Sequence, residues 1–150
     1  MRLTWIGALA ALAAVACGEK KADEAQMSQP AGTPAAAETV VEVRMTGNGT
    51  NQAAFDPTTL TIAPGTTVRF INVSGGPHNV AFYADSIAAG AADKLNAAMA
   101  NRMDNLSGPF LTALNETYDV TFGADAVKGN YRTYCLPHVA LGMAMTITVQ

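Results

Sequence analysis

Four side chains in the C-terminal two thirds of the chain could together bind a soft metal. Cys135, His138 and Met143 form a Cys-x2-His-x4-Met series, and His78 lies far upstream in Gly75-Gly76-Pro77-His78-Asn79. His78 and His138 are the only two histidines, and Cys135 is one of only two cysteines. Thiolate and thioether favour Cu(I), whereas imidazole also suits Cu(II). A set of two His, one Cys and a weak axial Met therefore tolerates both oxidation states, and little rearrangement is needed when one electron passes. Zinc is the rival metal, but a thioether is a poor zinc ligand. Taken singly, each residue has a plainer reading, since a lone His is usually not a ligand and a buried Cys is often inert packing. Met145 is the rival for the axial position. Its parity with Ile147 and Val149 assigns it to the core, and Met143 lies nearer the other donors. Met99 and Met103 fall on a helical stripe and read as core residues.

The cysteine count sharpens this reading. If Cys17 is used at the N-terminus, Cys135 has no disulfide partner, and a free thiol in an exported protein must be buried or metal-bound.

The elements that must position these donors are mostly strands. Period-two alternation recurs at Val41-Val43-Met45, Leu60-Ile62, Val68-Phe70, Tyr118-Val120-Phe122 and Met145-Ile147-Val149. Gly47-Asn48-Gly49, Asp56-Pro57, Pro64-Gly65, Gly75-Gly76-Pro77 and Gly129-Asn130 mark turns between them. Short strands with one apolar face, punctuated in this way, predict an all-β, antiparallel β-sandwich. One stretch differs. Ile87, Ala91, Leu95, Met99 and Met103 recur at every fourth position, which predicts a helical insertion over residues 85–104 with Asp85 or Ser86 as N-cap. Gly90 weakens its first turns. In this arrangement Cys135 ends a strand, His138 sits in the next loop, Met143 opens the last strand, and His78 comes from a neighbouring strand at the same end.

The N-terminal region reads differently. Residues 1–16 carry one positive charge, Arg2, then an apolar run to Val15, the pattern of a signal peptide rather than a membrane span. Ala14-Val15-Ala16-Cys17-Gly18 resembles a bacterial lipobox with Cys17 as the lipid-bearing residue. Ala14-Val15-Ala16 also suits ordinary cleavage to a soluble protein. The lipoprotein reading is favoured, because a cysteine at the cleavage point is improbable by chance in a chain with two. Each acyl CH2 adds about 0.8 kcal/mol of membrane burial. Residues 17–38 lack aromatics and a periodic apolar face, so they read as the anchor cysteine and a flexible linker. Residues 39–150 form the domain. Six basic and eight acidic residues give it a net charge of −2, with no basic patch for nucleic acid.

The segments around Phe55-Asp56-Pro57, Pro64-Gly65-Thr66-Thr67-Val68, Pro77-His78-Asn79-Val80, Glu116 to Phe122 and Tyr131 to Met143 resemble the plastocyanin-like, blue (type 1) copper proteins of the cupredoxin family. The resemblance covers about Val41 to Gln150 apart from the helical insertion. It implies a Greek-key connection of the antiparallel β-sandwich, one copper ion held by His78, Cys135, His138 and Met143, and single-electron transfer through the outer edge of His138. It further implies that the Asn79 backbone N–H donates to the Cys135 sulfur. Pro137, lacking an N–H, withholds a second such bond. Pro77 and Gly76, with Ala140, Leu141 and Gly142, would form an apolar docking patch. Tyr134 matches a position associated with a second, remote electron path, against the plainer reading of an outward-facing strand tyrosine. Leu136 replaces a small polar residue, which puts a bond toward Asn79 in question. No acidic docking patch is evident.

The expected function is electron shuttling between membrane redox partners such as a cytochrome, a reaction centre or a terminal oxidase. The expected location is periplasmic or cell-surface, as a lipid-anchored monomer. A copper chaperone or store is the alternative, which exposed Met or His clusters would favour; Met27 is the one obvious exposed methionine. A copper enzyme needs further histidines, and both are already used. A purely adhesive domain would not need the intact donor set.

Overall fold

The computed structural model describes residues 38–150. The signal-peptide, Cys17-anchor and linker readings lie outside the described residues, apart from the exposed Glu38.

Eight strands form two four-stranded sheets that pack face to face. They are β1 (Thr39–Gly47), β2 (Ala53–Asp56), β3 (Thr59–Ile62), β4 (Thr66–Asn72), β5 (Ala81–Phe82), β6 (Thr117–Phe122), β7 (Gly129–Tyr134) and β8 (Ala144–Val149). The sheet orders are β2-β1-β4-β6 and β3-β8-β7-β5. Alternation in the sequence becomes alternation in burial. Val43 and Met45, Tyr118, Val120 and Phe122, and Met145, Ile147 and Val149 all point into one core, where Phe55 meets Phe70 and Phe122 meets Tyr131 edge-on.

The sandwich matches the expected architecture, but two of its strand pairs are parallel, β1 with β4 and β3 with β8. Pro57 has no N–H to continue the ladder, so β2 ends at Asp56 and the chain turns a corner as it passes from β2 in one sheet to β3 in the other. Beyond it β3 runs alongside β8, and β4 returns alongside β1. Gly65, at φ +90°, makes the reversal before β4 in the position where a Pro-Gly turn needs a left-handed residue.

The insertion contains a much shorter helix than expected. Helix α1 spans Ala92–Ala98, with Ala91 rather than Asp85 or Ser86 at its N-cap. Gly90 adopts φ +79°, so the preceding residues cannot join the helix. Ala91, Leu95 and Met99 form the buried stripe; Met103 is exposed, contrary to its expected core role, because the chain leaves the helix at Met99. Met99 then bridges to Val120 on β6, and Tyr118 Oη donates to the Ala100 carbonyl, docking the insertion on the sandwich.

Candidate metal centre

The four candidate donors meet at one end of the sandwich. β7 ends at Tyr134, so Cys135 is the first residue beyond the ladder, with its N–H bonded to the Met143 carbonyl at 3.1 Å. A 3-10 helix, Leu136–Leu141, follows and carries His138. Gly142 closes it in the left-handed conformation at φ +78°, the usual glycine C-cap, and sends the chain back inward. Met143, wholly buried, stands immediately before β8, its N–H bonded to the His138 carbonyl at 3.3 Å. Met145, also buried, lies further along β8 opposite Thr133, within the core as expected.

His78 reaches the same place after β4. Its backbone pairs with Leu111 in both directions, at 3.1 and 2.7 Å, which holds it under the segment that precedes β6. Its Nε2 lies 2.8 Å from the Ser74 carbonyl. A carbonyl only accepts, so Nε2 carries the proton and the Nδ1 lone pair faces the site. Nδ1 of His78 lies 3.7 Å, and Nδ1 of His138 3.4 Å, from Cys135 Sγ. The three donor atoms all lie within 4.8 Å of one another. Metal–sulfur and metal–nitrogen bonds of about 2.3 and 2.0 Å in a trigonal plane set S and N roughly 3.7 Å apart, so these residues fit a single ion.

The electrostatics agree. Burial pushes the Cys135 thiol up, against backbone N–H groups from Asn79 and His138 that favour the thiolate. Burial, and then the nearby His78 ring, push His138 down toward the neutral ligating form. A bound cation would supply the charge that displaces the thiol proton.

Asn79, fully buried, organises the surroundings. Its N–H points at Cys135 Sγ at 3.4 Å, as expected. Its Oδ1 accepts the N–H of Leu136 at 2.7 Å, so the bond that Leu136 put in question is made by main chain and needs no polar side chain. Pro137 is exposed in the 3-10 helix. Pro77, Gly76, Ala140, Leu141 and Gly142 are exposed around His138, which is itself only partly covered. Tyr134 is half-buried and stacks on Tyr83, with ring centroids 4.3 Å apart and the Arg132 guanidinium over the Tyr83 ring.

Several participants carry no sequence signal. Ser74 holds His78 through a carbonyl, which every residue has. Phe110, Leu114, Leu136 and Val139 are exposed apolar residues on loops of the donor end, joining Leu141 there; Leu114 is 70% exposed. Exposure of this kind depends on where loops meet and leaves no periodic trace.

A two-sheet sandwich with His, Cys, His and Met donors at one end defines a cupredoxin with a type 1 copper site. The family model for copper binding proteins, plastocyanin/azurin family, matches residues 41–150. Plastocyanin of Nostoc punctiforme is 36% identical over 118 residues, covering 79% of each chain. Plastocyanin A/B of Petroselinum crispum is 36% identical over 109 residues, 72% of this chain and 98% of that one. The solved oxidised plastocyanin of Dryopteris crassirhizoma superposes with a TM-score of 0.58 at 28% identity, covering 73% of this chain and all of the other. The chain belongs to the plastocyanin/azurin family of copper binding proteins. It is a blue-copper electron-transfer protein, and not an enzyme.

Proposed function

We propose that the protein shuttles single electrons between membrane redox partners, such as a cytochrome, a reaction centre or a terminal oxidase, through the exposed edge of His138. Copper held by His78, Cys135, His138 and Met143 would supply the one-electron couple. The chain's own part is to hold the donors rigid and to present one of them. The observation that carries this reading is the asymmetry of burial. His78, Cys135 and Met143 are closed off from solvent, while His138 is partly exposed among Pro77, Leu136, Val139 and Leu141. An electron leaving by His138 crosses the shortest stretch of protein into an apolar surface that a partner can cover and dry. A small apolar surface of this kind suits a brief encounter.

The loops of this end, residues 47–52, 72–79 and 108–116 together with 135–143, carry one carboxylate, Glu116, and no Lys or Arg. Glu116 is itself used internally, accepting the N–H groups of Thr112 and Ala113 at 2.7 and 3.0 Å. Recognition therefore rests on apolar contact rather than on charge pairing.

We also propose that residues 1–16 direct export, that Cys17 carries lipid, and that residues 17–38 tether the domain to the outer side of a membrane. The motif and the composition of those residues support this. Mass spectrometry of the mature protein tests it: a diacylated Cys17 at the new N-terminus is expected, and an unmodified Cys17 overturns the anchor.

The redox reading is tested on the purified Cu(II) protein. Intense blue colour that bleaches on reduction is expected, and Cys135→Ser abolishes it. A colourless copper-loaded protein overturns the reading.

A further inference from the structure

We propose that Ser107, on the segment returning from the helical insertion, is a positioning residue for the Cys135 sulfur, so that the insertion is part of the frame of the redox centre. This rests on the copper reading above.

Asn79 links two parts of the molecule. On one side it holds consecutive residues of the donor loop, through its N–H to Cys135 Sγ and its Oδ1 to Leu136 N–H. On the other side its Nδ2 donates to Ser107 Oγ at 3.3 Å and to the Gly108 carbonyl at 3.4 Å. Exchanging the amide O and N would set acceptor against the Gly108 carbonyl and donor against the Leu136 N–H, so these two groups determine its orientation. The two Nδ2 bonds then fix the rotation of a side chain that no solvent reaches.

Ser107 is itself held from the insertion. The N–H of Leu106 donates to Asn96 Oδ1 on α1 at 2.7 Å. The Ser107 N–H donates to the Asp104 carbonyl at 3.1 Å, and the Gly108 N–H to the Val80 carbonyl at 2.8 Å. A continuous series thus runs from Asn96 through Leu106 and Ser107 to Asn79, and from there to Leu136 and Cys135. Removing the Ser107 hydroxyl leaves one buried Asn79 Nδ2–H unpaired, and the side-chain amide turns to find another acceptor. That turn lengthens the Oδ1 bond to Leu136, and the loosened loop carries the adjacent Cys135 sulfur away from the Asn79 backbone N–H. A thiolate that accepts a weaker N–H bond keeps more electron density, which favours the more positive, oxidised metal and lowers the reduction potential.

The experiment compares wild type with Ser107→Ala, Ser107→Thr and Asn96→Ala in the full chain. It reads hydrogen exchange of the Leu136 amide in the diamagnetic Cu(I) protein, the reduction potential, and the sulfur-to-copper absorption band. In Ser107→Ala we expect Leu136 exchange to quicken about fivefold, the factor for one hydrogen bond of ordinary strength. The potential falls and the band shifts. Threonine, which keeps the hydroxyl, restores all three towards wild type. Asn96→Ala moves them in the same direction and less. Unchanged exchange and potential in a folded Ser107→Ala protein overturn the proposal. Should that variant not fold, unchanged readouts in Asn96→Ala overturn it equally. If wild type binds copper without colour, the copper reading fails instead, and Leu136 exchange in the copper-free chain still decides whether Ser107 holds the loop.

Discussion

Met143, just before β8, and Met145, within it, share a residue type and a parity, yet they have different work. Both are buried, but Met143 is tied by its backbone to Cys135 and His138, while Met145 sits opposite Thr133 in the body of the sheet. Met145→Ala should therefore leave a cavity and cost about 2–5 kcal/mol. It should keep the blue colour. Met143→Ala should change the visible spectrum and the reduction potential. Urea unfolding and an optical redox titration of the two variants separate these outcomes. A rise in potential without a change in stability for Met145→Ala would reverse the assignment. The ligand types and the Cys-x2-His-x4-Met spacing were legible because chemistry limits them. The partners of the ligands were not, because Ser74 and Leu111 hold His78, and Leu136 meets Asn79, through main-chain groups common to all residues.

At the scale of elements, the donor end depends on a close crossing of two loops. A Cβ at Gly75 would stand 2.3 Å from the Gly47 carbonyl carbon, and Gly75 adopts φ +74°. The neighbouring Ser74 Oγ accepts the Gly47 N–H at 3.2 Å, and its carbonyl holds His78. Gly75→Ala should destabilise the fold by more than the roughly 1–2 kcal/mol of the backbone conformation alone. Copper affinity should also fall, as read by denaturant titration and copper competition. The insertion has its own signature. Burial pushes the Tyr118 hydroxyl up to about 12, with Arg102 acting in the other direction. A phenol raised above its unfolded value of about 10 stabilises the fold fully below pH 10. That stabilisation is lost as pH rises towards about 12. Tyr118→Phe should cost about 1 kcal/mol at neutral pH through the lost bond to Ala100. The deficit should shrink with alkali, as measured by urea unfolding at a series of pH values; a constant deficit would count against the buried phenol. The strand pattern was readable because a sheet buries alternate residues. The helical pattern from Ile87 to Met103 overreached, because fourth-residue spacing says nothing about Gly90 breaking the chain before it or about Met99 turning away after it.

For the molecule as a whole, charge and apolar surface are set apart. Five of the seven large apolar side chains exposed among the described residues (Phe110, Leu114, Leu136, Val139 and Leu141) lie on loops at the donor end, where charge is nearly absent. The bidentate Arg69–Asp119 pair and the Lys94–Asp125 pair lie on the β4–β6 face and beside α1, away from those loops. Screening acts on charges separated across an interface. The rate of electron exchange with a protein partner should therefore vary little, within about a factor of two or three, between 10 and 300 mM salt. Leu114→Glu or Leu141→Glu should slow it, and should confer a salt dependence that wild type lacks. Stopped-flow kinetics against a soluble cytochrome provides the measurement. A steep salt dependence of the wild-type rate would place recognition on another face.

By itself the sequence determined the metal chemistry, since only certain side chains bind copper in two oxidation states and this domain has one set of them. It also determined the sandwich, since alternation and turn residues act locally. The tertiary structure alone decided which strands pair in parallel on either side of the Pro57 corner, where the chain leaves α1 at Met99, and the exposure of Leu114. It also decided that the Asn79 amide joins the insertion to the donor loop. These depend on which distant segments touch, and contact between distant segments is set by the packing of the whole core rather than by any local pattern of residues.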